Sequence, residues 1–347
     1  MNHPAEPPPP IADVLLRAGI RAQVRAVIAC ASGGNNRIYK VQTSCGDFAA
    51  KVYFRHEGDS RDRLAAEYAF LAYAMAAAPG LTPRPIACDT ENATALYEFV
   101  EGRRFVAGEI GIGEVDAAIR FFRALNPEQS TAAIELPVAS EACFSIRDHL
   151  GLIRTRIDRL LQVPARSDIE IEALELFRRL DIFWQRLSAQ ILDGARRCCI
   201  DIDTPLAKER RCISPSDFGF HNALVEPGGR IRFLDFEYAG WDDPAKAAGD
   251  FFAQLAVPVP AEFFDRFVTG ILQGRPGAGE LTDRAVLLRP AYKVKWCCIA
   301  LNVFLPVHLA RRRFSDPALD ETAVQRAQLG KARQLLDSVE ATTHGLH

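Results

Sequence analysis

The apolar residues of this chain repeat with one period up to Gly102 and with another after it. Three runs, 24–31, 36–43 and 47–54, are β-branched or alternate apolar with polar residues, as strands do. The run 60–78 then puts Leu64, Tyr68, Leu71 and Met75 on one helical stripe, a Pro- and Gly-rich break follows, and 93–102 returns to a strand pattern. Beyond Gly102 the spacing is three-to-four at 113–126, 145–162, 168–194, 260–274, 283–305 and 321–341. The one interruption is 213–236, where ALV, the turn EPGGR and IRFLDF predict a short hairpin. This order predicts an α+β chain. A small antiparallel-sheet lobe at 13–102 precedes a large, mainly helical lobe at 103–347. Five of the first ten residues are prolines, so 1–12 is expected to be a disordered tail.

Composition narrows the partners. The 347 residues are 48% hydrophobic and 25% charged with a net charge of −2, which leaves no basic footprint for nucleic acid. The N-terminus lacks the basic start and apolar run of a signal peptide. No uncharged apolar stretch reaches the ~18 residues of a membrane span, and 296–310 is expected to be a buried core helix. The nine cysteines include two adjacent pairs and no C-x-x-C, a pattern of reduced thiols in a cytoplasmic protein.

Two stretches carry the chemistry: SPSDFGFHNALV at 214–225 and IRFLDFEYAGWDD at 231–243. Asp217-Phe218-Gly219 spells the magnesium-binding signature of protein kinases. That reading needs an Asp-x4-Asn loop about twenty residues earlier. None exists, because no asparagine lies between Asn126 and Asn222. Asp217 instead opens its own Asp-x4-Asn with Asn222, and a hairpin then leads to Asp235. One carboxylate can take the proton of an attacking hydroxyl, while an amide oxygen and a second carboxylate meet on magnesium, a hard cation that prefers oxygen. Asp217 is therefore the candidate base, and Asn222 and Asp235 the candidate metal ligands.

The sheet lobe offers matching parts. Gly33 and Gly34 sit between two strands, where backbone amides can approach a phosphate. Lys51 in the third strand can bind α/β-phosphates, and Glu67 on the next helix can hold it in place. Lys51→Ala is expected to weaken ATP use with little loss of stability.

In this order the motifs resemble those of the aminoglycoside phosphotransferase and choline kinase family of small-molecule kinases. The resemblance runs from about Cys30 to Asp250 and is most specific in SDFGFHN…FLDFEYAGWDDPAK. It implies a protein-kinase-like two-lobed fold, ATP and Mg²⁺ as cofactors, and the roles already given for Lys51, Glu67, Asp217, Asn222 and Asp235. It also implies that 96–102 connects the lobes, with the backbone of Glu98 and Val100 meeting adenine, and that Asp250 braces the catalytic loop. The chain departs from the family in having Pro215-Ser216-Asp217 where His-Gly-Asp is usual, and Ala247 where the brace aspartate commonly lies.

The expected activity is transfer of the γ-phosphoryl group of ATP to a hydroxyl of a small molecule: a sugar, an amino alcohol or an aminoglycoside. The alternative is a nucleotide-binding pseudokinase. A Walker-type site is excluded, since no G-x-x-x-x-G-K-[ST] occurs. Glu237, Tyr238, Trp241, Asp242 and Asp243 follow the metal aspartate closely. They predict an acidic, aromatic acceptor site for a cationic substrate, with Glu237 and Trp241 as its contacts.

Overall fold

The computed structural model describes residues 8–30, 35–57, 61–127 and 135–343. In chain order the first elements are α1 (Pro9–Arg17), β1 (Val24–Ala29), β2 (Arg37–Thr43), β3 (Gly46–Val52), α2 (Arg63–Ala77), β4 (Pro85–Asp89), β5 (Thr94–Glu98) and β6 (Arg103–Arg104). Next come α3 (Ile112–Leu125), α4 (Ile146–Leu161), α5 (Asp168–Arg197), β7 (Cys212–Ser214), β8 (Ala223–Val225), β9 (Ile231–Phe233) and β10 (Gly240–Asp242). The last are α6 (Pro244–Ala253), α7 (Phe264–Leu272), α8 (Ala278–Leu301), α9 (Pro306–Ser315) and α10 (Glu321–Thr343).

The chain forms two compact units. The first comprises 1–105 together with Asn222–Ala239 and Ala310–Leu319, two segments that lie well beyond Gly102 in sequence. Its main sheet is antiparallel, in the order β1-β2-β3-β5-β4. The apolar stripe of α1, with Ile11, Val14 and Leu15 three and four residues apart, packs with Val41, Ala50 and Leu96 of the sheet. A second sheet, β6-β8-β9, is built around the hairpin expected at 213–236.

The second unit comprises 106–221, Gly240–Leu309 and 320–347. Helix α8 is its centre and packs against α4, α5, α6, α7 and α10. Leu281, Ala285, Leu288, Ala291, Tyr292, Val294, Cys297, Cys298 and Leu301 bury much of α8, while Glu280, Asp283 and Val286 near its start remain exposed. Ser145 and Ser167 start α4 and α5 with capping boxes to Asp148 and Glu170. Strands β7 and β10 pair antiparallel at the point where the chain enters α6. Among the described residues no single helix is long and apolar enough to cross a membrane.

Several element boundaries differ from the expectation. Residues 9–12 are not a tail: Pro9 and Pro10 occupy the first positions of α1, where a missing N–H costs nothing and a fixed φ suits the helix. Residues 1–7 lie outside the described residues. Strand β4 is too short to show a period. It opens with Pro85 and pairs only with β5, the edge position a proline tolerates. The helix expected over 283–305 starts earlier, at Ala278, and ends at Leu301; Pro306 opens α9 as a new helix. All nine cysteines are free thiols.

Candidate active site

The strand-rich unit gathers its charged residues around Lys51. In β3, Lys51 lies opposite Ile38 of β2 and Ala95 of β5, and it is only 5% exposed. Its Nζ donates to Glu67 Oε2 at 2.6 Å and to Asp235 Oδ1 at 2.6 Å. Glu67 is held in turn by the Tyr53 hydroxyl at 2.7 Å and the Phe236 N–H at 3.2 Å. Burial works against the Lys51 ammonium, but Asp235, Glu67 and Glu237 outweigh it and keep the group charged, with its pKa raised well above the ordinary value. The expected Lys51–Glu67 pair is therefore present, and Asp235 joins it. Gly33 and Gly34, the expected phosphate contacts, lie outside the described residues.

The hairpin accounts for the position of Asp235. The Leu234 N–H donates to the Asn222 carbonyl at 2.8 Å, so the residue before β8 and the residue two after β9 are brought side by side. The turn between them closes with Gly229 at φ +80°, a left-handed position suited to glycine. Arg232 pins the hairpin by bonds to Glu226 at 2.9 Å, Glu98 at 3.0 Å and the Thr82 carbonyl at 2.8 Å. At Gly102 a Cβ would stand 2.8 Å from the Val225 carbonyl oxygen, so the connector passes β8 too closely for a side chain. Within that connector the Glu98 side chain accepts from the Arg84 N–H at 3.1 Å as well as from Arg232, and Val100 is buried.

Asp235 itself has φ +65°, a conformation aspartate tolerates better than most residues. Its carboxyl is pushed up to about 6 by burial and by Glu237 and Glu67, against the pull of Lys51. Oxygens of Glu67, Asp235 and Glu237 all lie within 4.8 Å of one another, a hard-oxygen set of the kind magnesium takes. Glu67 and Glu237 are committed to protein donors. Asp235 accepts from Lys51 and is the most exposed of the three, with 29% of its side chain exposed. A dication would relieve the crowding of negative charge that raises Asp235.

The acidic run after Asp235 is not an acceptor site as expected. Glu237 is 0% exposed, and its oxygens accept from Asn35 at 3.0 Å, Asn36 at 2.5 Å and Arg63 at 2.9 Å. It ties β2 and α2 to the end of the hairpin and has no surface to offer a substrate. Asp242 and Asp243 are also fully buried. Asp242 pairs with Lys246; Asp243 accepts from Arg284 at 2.6 Å and meets His149 Nε2 at 3.0 Å, while capping α6 through the Ala245 N–H. Each charge is compensated inside the protein, which is the condition for burying it. Trp241 lies half-buried in β10, its backbone bonded to Pro137 and Ala139.

In the helical unit the loop carrying Asp217 follows β7. Ser216 and Asp217 have φ +48° and +42°, two successive residues in the left-handed region. Such strain persists only where surrounding contacts impose it. The Ser216 N–H donates to Ser214 Oγ at 3.1 Å, which secures the stretch where Pro215 and Ser216 replace His and Gly. Phe218 is an anchor, packed on Phe121 and Phe251 with ring centroids at 5.8 and 5.1 Å. The Asp-Phe-Gly letters thus mark a core contact. Asp250 does not brace this loop directly: its oxygens accept from Lys295 Nζ at 2.9 and 2.8 Å and from Trp296 Nε1 at 2.9 Å. With a basic residue this close, the carboxylate has become an internal counter-ion.

Placed beside these residues, the comparisons with known proteins are decisive on family. The profile of the Phosphotransferase enzyme family matches residues 26–281. The chain belongs to that family. Its fold is that of the protein-kinase-like small-molecule kinases, a sheet-bearing part followed by a mostly helical one. A choline/ethanolamine kinase family protein from Mesorhizobium loti has a similar structure, with a TM-score of 0.58 at 16% identity over 94% of this chain and 92% of that one. Choline kinase from Cryptosporidium parvum is similar over 90% of each chain, with a TM-score of 0.55 at 14% identity. An ADP-bound aminoglycoside phosphotransferase is similar over 92% of this chain and 96% of its own, with a TM-score of 0.54 at 14% identity. No curated protein matches the sequence significantly.

Missed by sequence reasoning were the structural roles of Glu237, Asn36 and Arg63, and the contact that His221 makes with Asp217. The last had a visible signal: His221 is the one histidine within the Asp-x4-Asn motif.

Proposed function

We propose that the protein transfers the γ-phosphoryl group of ATP to a hydroxyl of a small molecule, a sugar, amino alcohol or aminoglycoside, in a magnesium-dependent reaction. The observation that carries this is Lys51 clamped between Glu67 and Asp235, a lysine charged, aimed and desolvated, as phosphate binding in this fold requires. Asp235 and Asn222 would hold magnesium, which would neutralise charge on the phosphates. Lys51 binds the α/β-phosphates, and the backbone at Glu98 and Val100 meets the adenine. Asp217 takes the hydroxyl proton as the acceptor oxygen bonds to the γ-phosphorus. The bond from that phosphorus to the β–γ bridging oxygen breaks, and ADP leaves. Positioning and charge neutralisation provide most of the acceleration. Reduced thiols throughout suit a cytosolic setting.

The acceptor class is open to a direct test. ADP release is measured with MgATP over neutral sugars, choline-like alcohols and aminoglycosides, in the wild type and in Asp217→Asn. Acceptor-dependent ADP release that Asp217→Asn abolishes is the expected result. Tight MgATP binding with no acceptor-dependent ADP release would instead identify a nucleotide-binding pseudokinase.

A further inference from the structure

We infer that His221 positions the catalytic carboxylate, donating its Nε2–H to Asp217 Oδ1 so that Oδ2 is presented to the acceptor hydroxyl; this rests on the kinase reading above. His221 Nε2 stands 3.2 Å from Asp217 Oδ1, one turn along the loop that ends in Asn222. Asp217 lies in the left-handed backbone region, and the His221 imidazole nitrogen stands within hydrogen-bond reach of its carboxylate. His221 is itself held by Trp296 and by the loop at Gly219.

Its ring meets the Trp296 indole edge-on, with centroids 6.2 Å apart and planes at 85°. That indole is immobilised by its N–H bond to Asp250, which Lys295 neutralises. The side chain is only 16% exposed. The loop is also shaped around the imidazole: a Cβ on Gly219 would lie 2.8 Å from His221 Nδ1 and 3.0 Å from Cε1. Gly219 is therefore the residue that admits the ring, although its φ would permit a side chain. Asp250, Trp296, His221 and Asp217 form a chain of contacts from α6 and α8 to the base. Without His two residues before Asp217, where Pro215 now stands, the orienting donor comes from four residues after it.

A bland i,i+4 contact on a loop predicts that any polar substitute suffices. A positioning donor predicts that only the matching nitrogen does. Glutamine carries its amide nitrogen at the place of histidine Nε2, whereas asparagine reaches only the place of Nδ1. His221→Gln, His221→Asn and His221→Ala are compared with the wild type using the panel acceptor that releases ADP fastest. The expected result is kcat within about threefold for His221→Gln, and a loss of about 10- to 100-fold for the other two, with KM for MgATP unchanged. Equal activity in Gln and Asn variants, or losses that follow melting temperature, would overturn the inference.

A second measurement does not depend on turnover. Long-range ¹H–¹⁵N spectra at pH 7.5 are expected to show His221 protonated at Nε2, and a changed signal in Asp217→Asn. A signal indifferent to Asp217→Asn would overturn the contact whatever the kinetics. The expected spectra in a wild type that releases no ADP would uphold the contact and remove the kinase reading alone.

Discussion

Replacing Lys51 tests both the site and the way the strand-rich unit is held together. A solvated strand lysine could be lost silently, but Lys51 is 5% exposed and in contact with two carboxylates at 2.6 Å. Removing one partner of a buried pair costs about 3–5 kcal/mol, because the other charge is left uncompensated. Glu67 keeps the Tyr53 hydroxyl and the Phe236 N–H, which moderates its share. Among the described residues Asp235 has no comparable second donor, and it lies beside Glu67 and Glu237. Its carboxyl is already pushed up to about 6, and loss of the lysine moves it further up. A carboxyl raised in the folded state favours folding below its unfolded pKa and loses that contribution as pH rises through the folded value. Stability then falls by about 1.4 kcal/mol per pH unit between the unfolded value and the raised folded value, and levels off above the latter.

Lys51→Met is therefore expected to lower the melting temperature of the protein by several degrees at pH 8 and by much less at pH 5.5. The double variant Lys51→Met/Asp235→Asn should recover about half of the pH 8 loss. Differential scanning calorimetry of the three proteins at the two pH values is the assay. A Lys51→Met protein that melts like the wild type at both would refute the buried cluster, and with it the geometry assigned to the phosphate site. Earlier expectation from sequence, that Lys51 could be removed with little loss of stability, is reversed by this burial.

Three other expectations concern single residues. Asp235→Asn should weaken magnesium-dependent ADP binding, read by calorimetric titration, more than Asp217→Asn, which should leave that binding nearly intact while lowering turnover by about 10²- to 10⁴-fold. Despite its burial, Asp243 is held down to about 2 by Arg284 and His149. Asp243→Asn should therefore cost about 2 kcal/mol in urea unfolding at pH 7, and the difference from wild type should shrink as pH falls from about 4 toward 2. At Gly249 a Cβ would lie 2.4 Å from the Tyr292 ring, so Gly249→Ala should separate α6 from α8 at a cost of about 1–3 kcal/mol or more, visible as a lowered melting temperature.

Much of the architecture was legible without coordinates because it depends on neighbours in sequence. Alternation of apolar residues produces β2 and β3, three-to-four spacing produces α4 and α5, and the Gly-Gly turn produces the β8–β9 hairpin, each within one short window. The order of Lys51, Glu67, Asp217, Asn222 and Asp235 was legible for the same reason, since each motif is a local spacing. What depends on distant partners was not. Glu237 reads as an exposed acidic residue until Arg63, 174 residues earlier, is placed against it. Asp243 reads as a turn residue until Arg284 arrives from α8, 41 residues later. Burial of a charge is decided by whether a counter-charge can be brought to it, and only the folded chain brings one. The same holds for Gly219 and His221: a spacing of letters shows that they are near, but only packing against Trp296 shows that one makes room for the other.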